Sequence, residues 1–541
     1  MVTQFVNSSG AIQLKASNEE ITDLVHSEIS DYIQASQKRR SLFPRAALVG
    51  LVAGVISVLF RAGIQAGKLF RDHLITWSHI YPYTWWLFPS VLAAAGVSIS
   101  VFLVRHYAPE AAGSGIPHLE AVLHRYTSLR WKRVLPVKFF GGLMALGTGL
   151  VLGQEGPTVQ MGGTAGAAVS DWLKVGTQDR LTLIAAGAGA GLAAAFNAPL
   201  AGLIFVLEEV QKDFRQAVFG ATFIAAATAD VISRLASGQF PVYKVPSYPV
   251  PVLGALPLFA FLGMCCGILG VIYNRSLIFT LNIFGKIPAK YSVLTASVIG
   301  AAVGLVAWYK PDLVGGGRSL SEEFLAGNGV ITGIILLFLA RFLLSMVSYG
   351  TGAPGGIFAP LLVLGSLIGL GIGQIGHYLF PGVVHIPAIY AVVGMAAYFT
   401  AIVRAPLTGI VLIIEMTGSY AQMLPLLVAC FCSYAVAEMT GEMPIYDHLL
   451  ERSLLKEGAL PDPTEPLVIE IEIEPGSAFA GREVKDLGLP AGCILISCRQ
   501  GANEWIPTAM SRLEAHVRIT AVISPQAKGA LHALRKGCET P

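Results

Sequence analysis

Long apolar runs separated by short polar loops dominate the chain up to about residue 450. Runs at Ala46–Ala66, Trp85–Val104, Phe139–Leu152, Leu253–Tyr273, Val293–Trp308, Val330–Val347, Leu361–Ile375 and Leu424–Ala437 predict helices that enter a lipid bilayer. Several are shorter than the roughly 20 residues a straight crossing needs, and many contain Gly or Pro. Broken helices are tolerated at membrane depth only where protein or a water-filled pathway surrounds them, which predicts a channel or transporter and not a simple anchor. After about Glu457 the pattern changes. Pro461-Asp462-Pro463 marks a linker, and Leu467–Glu474 alternates apolar with acidic residues as an exposed strand does. Ile494–Cys498 and Val517–Ile523 predict further strands, with turns and a short helix between them. The expected organisation is an amino-terminal cytoplasmic segment (1–42), an all-α polytopic membrane domain (43–450), a linker (451–466) and a small α+β domain (467–541).

The membrane part repeats itself. Gly187–Glu209 and Gly394–Met416 both carry Ala-Pro-Leu-x-Gly followed by a Leu- and Ile/Val-rich run ending in Glu. Pro199 and Pro406 are 207 positions apart, as are Glu208 and Glu415. Repeats at about 45–238 and 252–440 are expected, and an odd number of crossings in each would make them inverted, with a site between them built from interrupted helices. The register also separates two neighbours. Glu208 has a counterpart and is expected to share an architectural task with Glu415, such as bonding backbone at a helix end. Glu209 has Met416 in its place, so a special task is expected of it.

Composition agrees with the membrane setting: 54% of residues are hydrophobic, 13% are charged, and mean hydropathy is +0.63. A soluble chain carries nearer a quarter charged residues. The first 40 residues are polar and unlike a secretory signal, and Glu19–Gln37 predicts an amphipathic helix. Lys38, Arg39, Arg40 and Arg45 place this end on the cytoplasmic side, and Arg125, Arg130, Lys132 and Arg133 do the same for the loop His124–Arg133. The seven cysteines show no metal-ligand spacing; Cys265, Cys266, Cys430 and Cys432 lie in apolar runs and are expected to pack.

The candidate chemistry lies in glycine-rich breaks. Glu155 stands in Gly153-Gln154-Glu155-Gly156-Pro157 within an apolar stretch, where an ionised side chain costs about 2.5–3.5 kcal/mol on insertion scales and reads as functional. Pro157 suits a first helical turn, whose unpaired N–H groups attract anions. Gly113-Ser114-Gly115-Ile116-Pro117 and Gly355-Gly356-Ile357-Phe358-Ala359-Pro360 offer two more such helix starts, and Tyr446 adds a phenol after the last run. These neutral donors can replace an anion's hydration without trapping it, which suits conduction. Lys138 is expected either to add positive potential or to pair with a carboxylate.

Together and in order, these motifs resemble the CLC family of chloride channels and chloride/proton exchangers, over roughly Phe43 to Leu450. The resemblance implies Ser114 and Tyr446 as side-chain ligands of a central chloride. It adds Gly115, Ile116, Gly156, Ile357 and Phe358 as backbone contributors, Glu155 as the gating glutamate and Glu209 as the internal proton-transfer glutamate. It implies a homodimer in membrane lipid with one pathway per subunit, chloride and protons as the transported species, and no cofactor, metal or nucleic-acid partner. The tail, through Pro475-Gly476-Ser477, Gly481-Arg482 and Leu489-Pro490, resembles the carboxy-terminal regulatory domain of potassium-uptake proteins and implies ligand control or dimer contacts. The chain departs from the family at Gln154, where arginine is usual. Glu209 favours exchange over the alternative, a passive voltage- or pH-gated chloride channel. A potassium pathway lacks Thr-Val-Gly-Tyr-Gly, and a serine hydrolase built on Ser114 and His118 lacks a nucleophile elbow.

Overall fold

The apolar runs are helical in the computed structural model, which describes all residues except 1–4, 7–11, 14–17, 81–84, 213–215, 244, 247, 330, 458–466, 490, 501–502, 525–526, 528 and 539–541. Two compact units divide the chain, Met1–Ser453 and Leu454–Pro541.

In the first unit a strand pair, β1 (Phe5–Val6) and β2 (Ile12–Gln13), precedes the helices. These run α1 (Asn18–Ser78), α2 (Leu87–Tyr107), α3 (Ile116–Leu123), α4 (Trp131–Gly147), α5 (Glu155–Trp172), α6 (Thr177–Phe196), α7 (Pro199–Phe205), α8 (Gln216–Ser237) and α9 (Leu256–Gly285). They continue as α10 (Ser292–Tyr309), α11 (Arg318–Leu325), α12 (Ile331–Gly350), α13 (Phe358–Leu379), α14 (Ala388–Val403), α15 (Pro406–Thr417), α16 (Met423–Met439) and α17 (Ile445–Glu457). Seven of the described helices are long and apolar enough to cross a membrane: α1 from Arg40, α2, α8, α9, α10, α12 and α13. Others serve the interior. Every residue of α14 is buried, so its all-round hydrophobicity faces protein.

The structure differs from the sequence reading in two places. The run Phe139–Leu152 is not one helix: α4 starts at Trp131 and stops at Gly147, and Gly149 takes φ 112°, a left-handed value that frees the chain to enter the Glu155 loop. Helix α8 is a span beyond those expected, and it carries Asp230 and Arg234. In the fold they neutralise each other, Arg234 Nε to Asp230 Oδ2 at 2.6 Å. Residues Glu19–Gln37 are helical as part of α1; their side chains, like Val330 and most of the expected linker, lie outside the described residues.

Small residues set the central packing. A Cβ on Gly187 would collide with the Gly162 carbonyl, and one on Gly369 with the Tyr390 carbonyl. The backbones of α5 and α6, and of α13 and α14, therefore touch directly, as small-xxx-small helix pairs do in lipid. These pairs correspond in the two repeats. Helix α6 ends at Asn197 with φ 52°, and α14 ends 207 positions later at Arg404 with φ 68°. Beyond these caps, Glu208 accepts the N–H groups of Leu407 (3.1 Å) and Thr408 (2.7 Å) at the start of α15. Glu415 accepts those of Leu200 (3.1 Å) and Ala201 (2.8 Å) at the start of α7. Each helix reaches the amino end of the other from its own carboxyl end, so α7 and α15 run antiparallel and the repeats are inverted.

In the second unit β3 (Leu467–Glu472), β8 (Arg518–Ile523), β5 (Cys493–Gln500) and β6 (Asn503–Trp505) form an antiparallel sheet in that order. A separate pair joins β4 (Arg482–Glu483) to β7 (Arg512–Leu513). Alternation along β8 turns Ile519, Ala521 and Ile523 inward, where Leu534 of α18 (Ala530–Cys538) shares their core. The unit is α+β.

Candidate functional site

Backbone hydrogen bonds stitch the three glycine motifs together. Gly153 N–H donates to Gly356 O at 2.7 Å, Gly356 N–H returns to Gly153 O at 2.8 Å, and Gly355 N–H donates to Gly113 O at 3.0 Å. A Cβ on Gly156 would stand 2.7 Å from Ser114 Oγ. The amino ends of α3, α5 and α13 are thus brought together. The first N–H groups of each lack acceptors in their own helix, and each end carries about half a positive charge. Gly115 caps α3 at φ 83°, a conformation that favours glycine.

Ser114 and Tyr446 approach each other within this cluster. Both are buried, and neither hydroxyl completes a well-formed hydrogen bond among the described residues. Buried hydroxyls left this way have donor and acceptor capacity open to a polar partner. Phe358 lies beside Tyr446, with ring centroids 6.3 Å apart, and Ile357 and Phe358 begin α13 fully packed. Ile116 is equally buried at the start of α3.

Glu155, only 4% exposed, opens α5. Its carboxylate folds back over Gly153, where a Cβ would collide with Oε2, and turns toward its own N–H and that of Ala359 in the first turn of α13. The carboxyl group therefore faces a helix amino terminus, although its Oε2 completes no well-formed hydrogen bond among the described residues. A cavity of about 660 Å³ opens onto it, lined by Gln154, Glu155, Arg61, Tyr243, Arg318 and Ala359 among others.

Glu209 is not a solvated helix end. It lies in a π turn, Val206–Val210, is 3% exposed, and its Oε1 has no hydrogen-bond partner among the described residues. Single π turns are frequent at functional sites. Beside it stands a residue that the sequence reading did not single out. Lys212 Nζ binds Glu120 Oε1 of α3 at 2.8 Å and also Asp447 Oδ1 of α17, the neighbour of Tyr446. A lone lysine after Glu208-Glu209 was the available signal, but nothing local ties it to positions 120 and 447.

Lys138 pairs with no carboxylate among the described residues. Fully buried, it donates to Ala111 O (3.1 Å) and Gly113 O (2.7 Å), bracing the Ser114 loop from behind. His118 Nδ1 lies 3.1 Å from Gln160 Nε2, and Ser114 Oγ makes no bond to it, so the pair forms no nucleophile–base couple.

Comparison with known proteins follows the same lines. The voltage-gated chloride channel family profile matches residues 95–438, and the TrkA-C domain profile matches residues 468–534. The H(+)/Cl(-) exchange transporter ClcA of Vibrio parahaemolyticus is 42% identical over 432 residues, covering 79% of this chain and 92% of its own length. The ClcA protein of Citrobacter koseri is 38% identical over 434 residues, with the same coverage. The crystal structure of a slow cyanobacterial Cl-/H+ antiporter superposes with TM-score 0.75 at 36% identity, covering 77% of this chain and 99% of that one. A CLC-type fluoride/proton antiporter, 20% identical with TM-score 0.63, shares the fold.

Proposed function

The chain belongs to the voltage-gated chloride channel family, and on that footing we propose that it is a chloride/proton antiporter whose exchange runs through Glu155 and Glu209. Chloride and the Glu155 carboxylate are both monovalent anions, drawn to the same N–H-rich helix ends. Protonation removes the charge that holds Glu155 at α13, and chloride takes its place. Ser114 and Tyr446 offer hydroxyls, and Gly115, Ile116, Gly156, Ile357 and Phe358 supply the surrounding backbone. None of these donors carries a full charge, so chloride is held loosely enough to leave. A proton handed from Glu155 towards Glu209 moves opposite to chloride.

The observation that carries this reading is the seating of the Glu155 carboxylate against the first turn of α13. Glu209 adds a second buried carboxylate, which exchange requires and a passive channel does not. The protein acts as a homodimer in lipid, one pathway per subunit, with both termini cytoplasmic. The test is reconstitution in liposomes with a chloride gradient and no pH gradient, recording proton movement at clamped membrane potential. Uphill proton flux supports exchange; chloride flux without proton movement makes the protein a channel and Glu209 a bystander.

A further inference from the structure

Gln154 leaves the position beside Glu155 uncharged, so a fixed positive charge acting there has to come from another element. The cavity over Glu155 contains several cations, and their partners distinguish them. Arg71 is tied to Asp72 at 2.7 Å, Arg318 to Glu322 at 3.1 Å, and Lys68 is exposed, where salt screens its charge. Arg61, on α1 and partly buried, is different. Its Nη1 donates to Ser237 Oγ at 2.8 Å; its Nη2 donates to Ala194 O, to Ala195 O at 3.0 Å and to Ser233 Oγ at 3.3 Å. All four acceptors are neutral. No carboxylate among the described residues forms an ion pair with Arg61; Asp230, an acidic neighbour, is engaged by Arg234 at 2.6 Å. The two carbonyls belong to the last turn of α6, whose end carries about half a negative charge, so a net positive charge remains. Held by four bonds, that charge is fixed in position, and Glu155 is among the carboxylates that feel its field.

We propose that Arg61 supplies the positive charge of the anion entrance, acting from α1 across the cavity on whichever anion, chloride or the Glu155 carboxylate, occupies the amino end of α13. The inference rests on the reading of Glu155 as chloride's competitor. It makes Arg61 a determinant of chloride affinity and not a ligand: the field replaces the charge that position 154 lacks, from a helix distant in sequence.

The experiment titrates chloride calorimetrically into the full-length detergent-solubilised protein in a Glu155→Gln background, where the competing carboxylate is neutral, and measures chloride flux in liposomes with Glu155 intact. Arg61→Gln is expected to weaken chloride binding and raise the half-saturating chloride roughly three- to tenfold, with the maximal rate little changed. Arg61→Lys, and Arg61→Gln combined with Gln154→Arg, are expected to recover the affinity. Unchanged affinity in Arg61→Gln overturns the proposal. So does a loss that neither second variant recovers, accompanied by a lower melting temperature, because that pattern belongs to a merely structural arginine. Absence of chloride binding in the Glu155→Gln protein itself overturns the underlying reading of Glu155, a different result from either.

Discussion

Thr408 Oγ1 donates a 2.7 Å hydrogen bond to Glu208 Oε2, a bond that Ala201, its counterpart 207 positions earlier, cannot offer to Glu415. The two inverted repeats therefore share a reciprocal carboxylate grip but hold it with unequal strength. Glu208 receives two backbone N–H groups and a hydroxyl; Glu415 receives two N–H groups only.

From this asymmetry, Glu208→Ala should destabilise the protein more than Glu415→Ala. Hydrogen bonds to a charged group are worth about 1.5–3 kcal/mol, and the extra hydroxyl bond sets the difference. Thr408→Val should close most of the gap. Thermal unfolding in detergent, read for the three variants side by side, checks the order; equal losses would show that the hydroxyl contributes nothing.

Glu155→Ala should leave the amino end of α13 open to chloride at all times. Chloride flux should persist, lose its dependence on pH and carry no protons, and bound chloride per subunit should rise. Strong pH dependence surviving in this variant counts against the gate.

Glu209→Gln keeps the shape of the π turn while removing an acid. Proton movement should fall at least about tenfold while chloride flux stays within about twofold, since Glu209 is not among the proposed chloride donors and its Oε1 bonds none of them. Coupling that survives intact would assign the proton another route. Lys212→Met is a useful companion, because it breaks the link between α3 and α17 without removing the acid.

In the carboxy-terminal unit, Leu534 is fully buried, and Leu534→Ala should cost about 2–5 kcal/mol. The unit carries its own reporter. Cys498 is completely buried, and burial pushes its thiol up to about 11, so maleimide labelling near neutral pH should be slow in the intact protein. Peptide mass spectrometry should show faster labelling in Leu534→Ala; identical rates would mean that the thiol is reached without opening the core.

Much of this molecule was legible in its chain. The Ala-Pro-Leu-x-Gly repeat located α7 and α15, and its register separated Glu208 from Glu209 before any contact was known. The glycine motifs named the helix starts that the fold brings together. The illegible parts depend on pairing at a distance. Helix α8 carries Asp230 and Arg234, whose charges offset each other only in the fold, where they pair one helical turn apart. Lys138 was open between a source of positive potential and a partner for a carboxylate, and its acceptors are two carbonyls of a loop 25 and 27 positions away. Nothing local tied Lys212 or Arg61 to their partners, since the groups they touch are separated from them by 92 to 235 and 133 to 176 positions respectively.

The two hydrogen bonds exchanged between Gly153 and Gly356 also limit how this protein can move. They join the loop before α5 to the loop before α13, one from each repeat, directly beneath the Glu155 carboxylate. A rocking motion of one repeat against the other would have to tear this seam and leave four buried backbone groups unpaired, at about 1–3 kcal/mol each. Turning a single glutamate between staggered side-chain conformations disturbs none of them. On the proposed reading, Glu155 can therefore give way to chloride by a movement the length of one side chain, with this seam left closed.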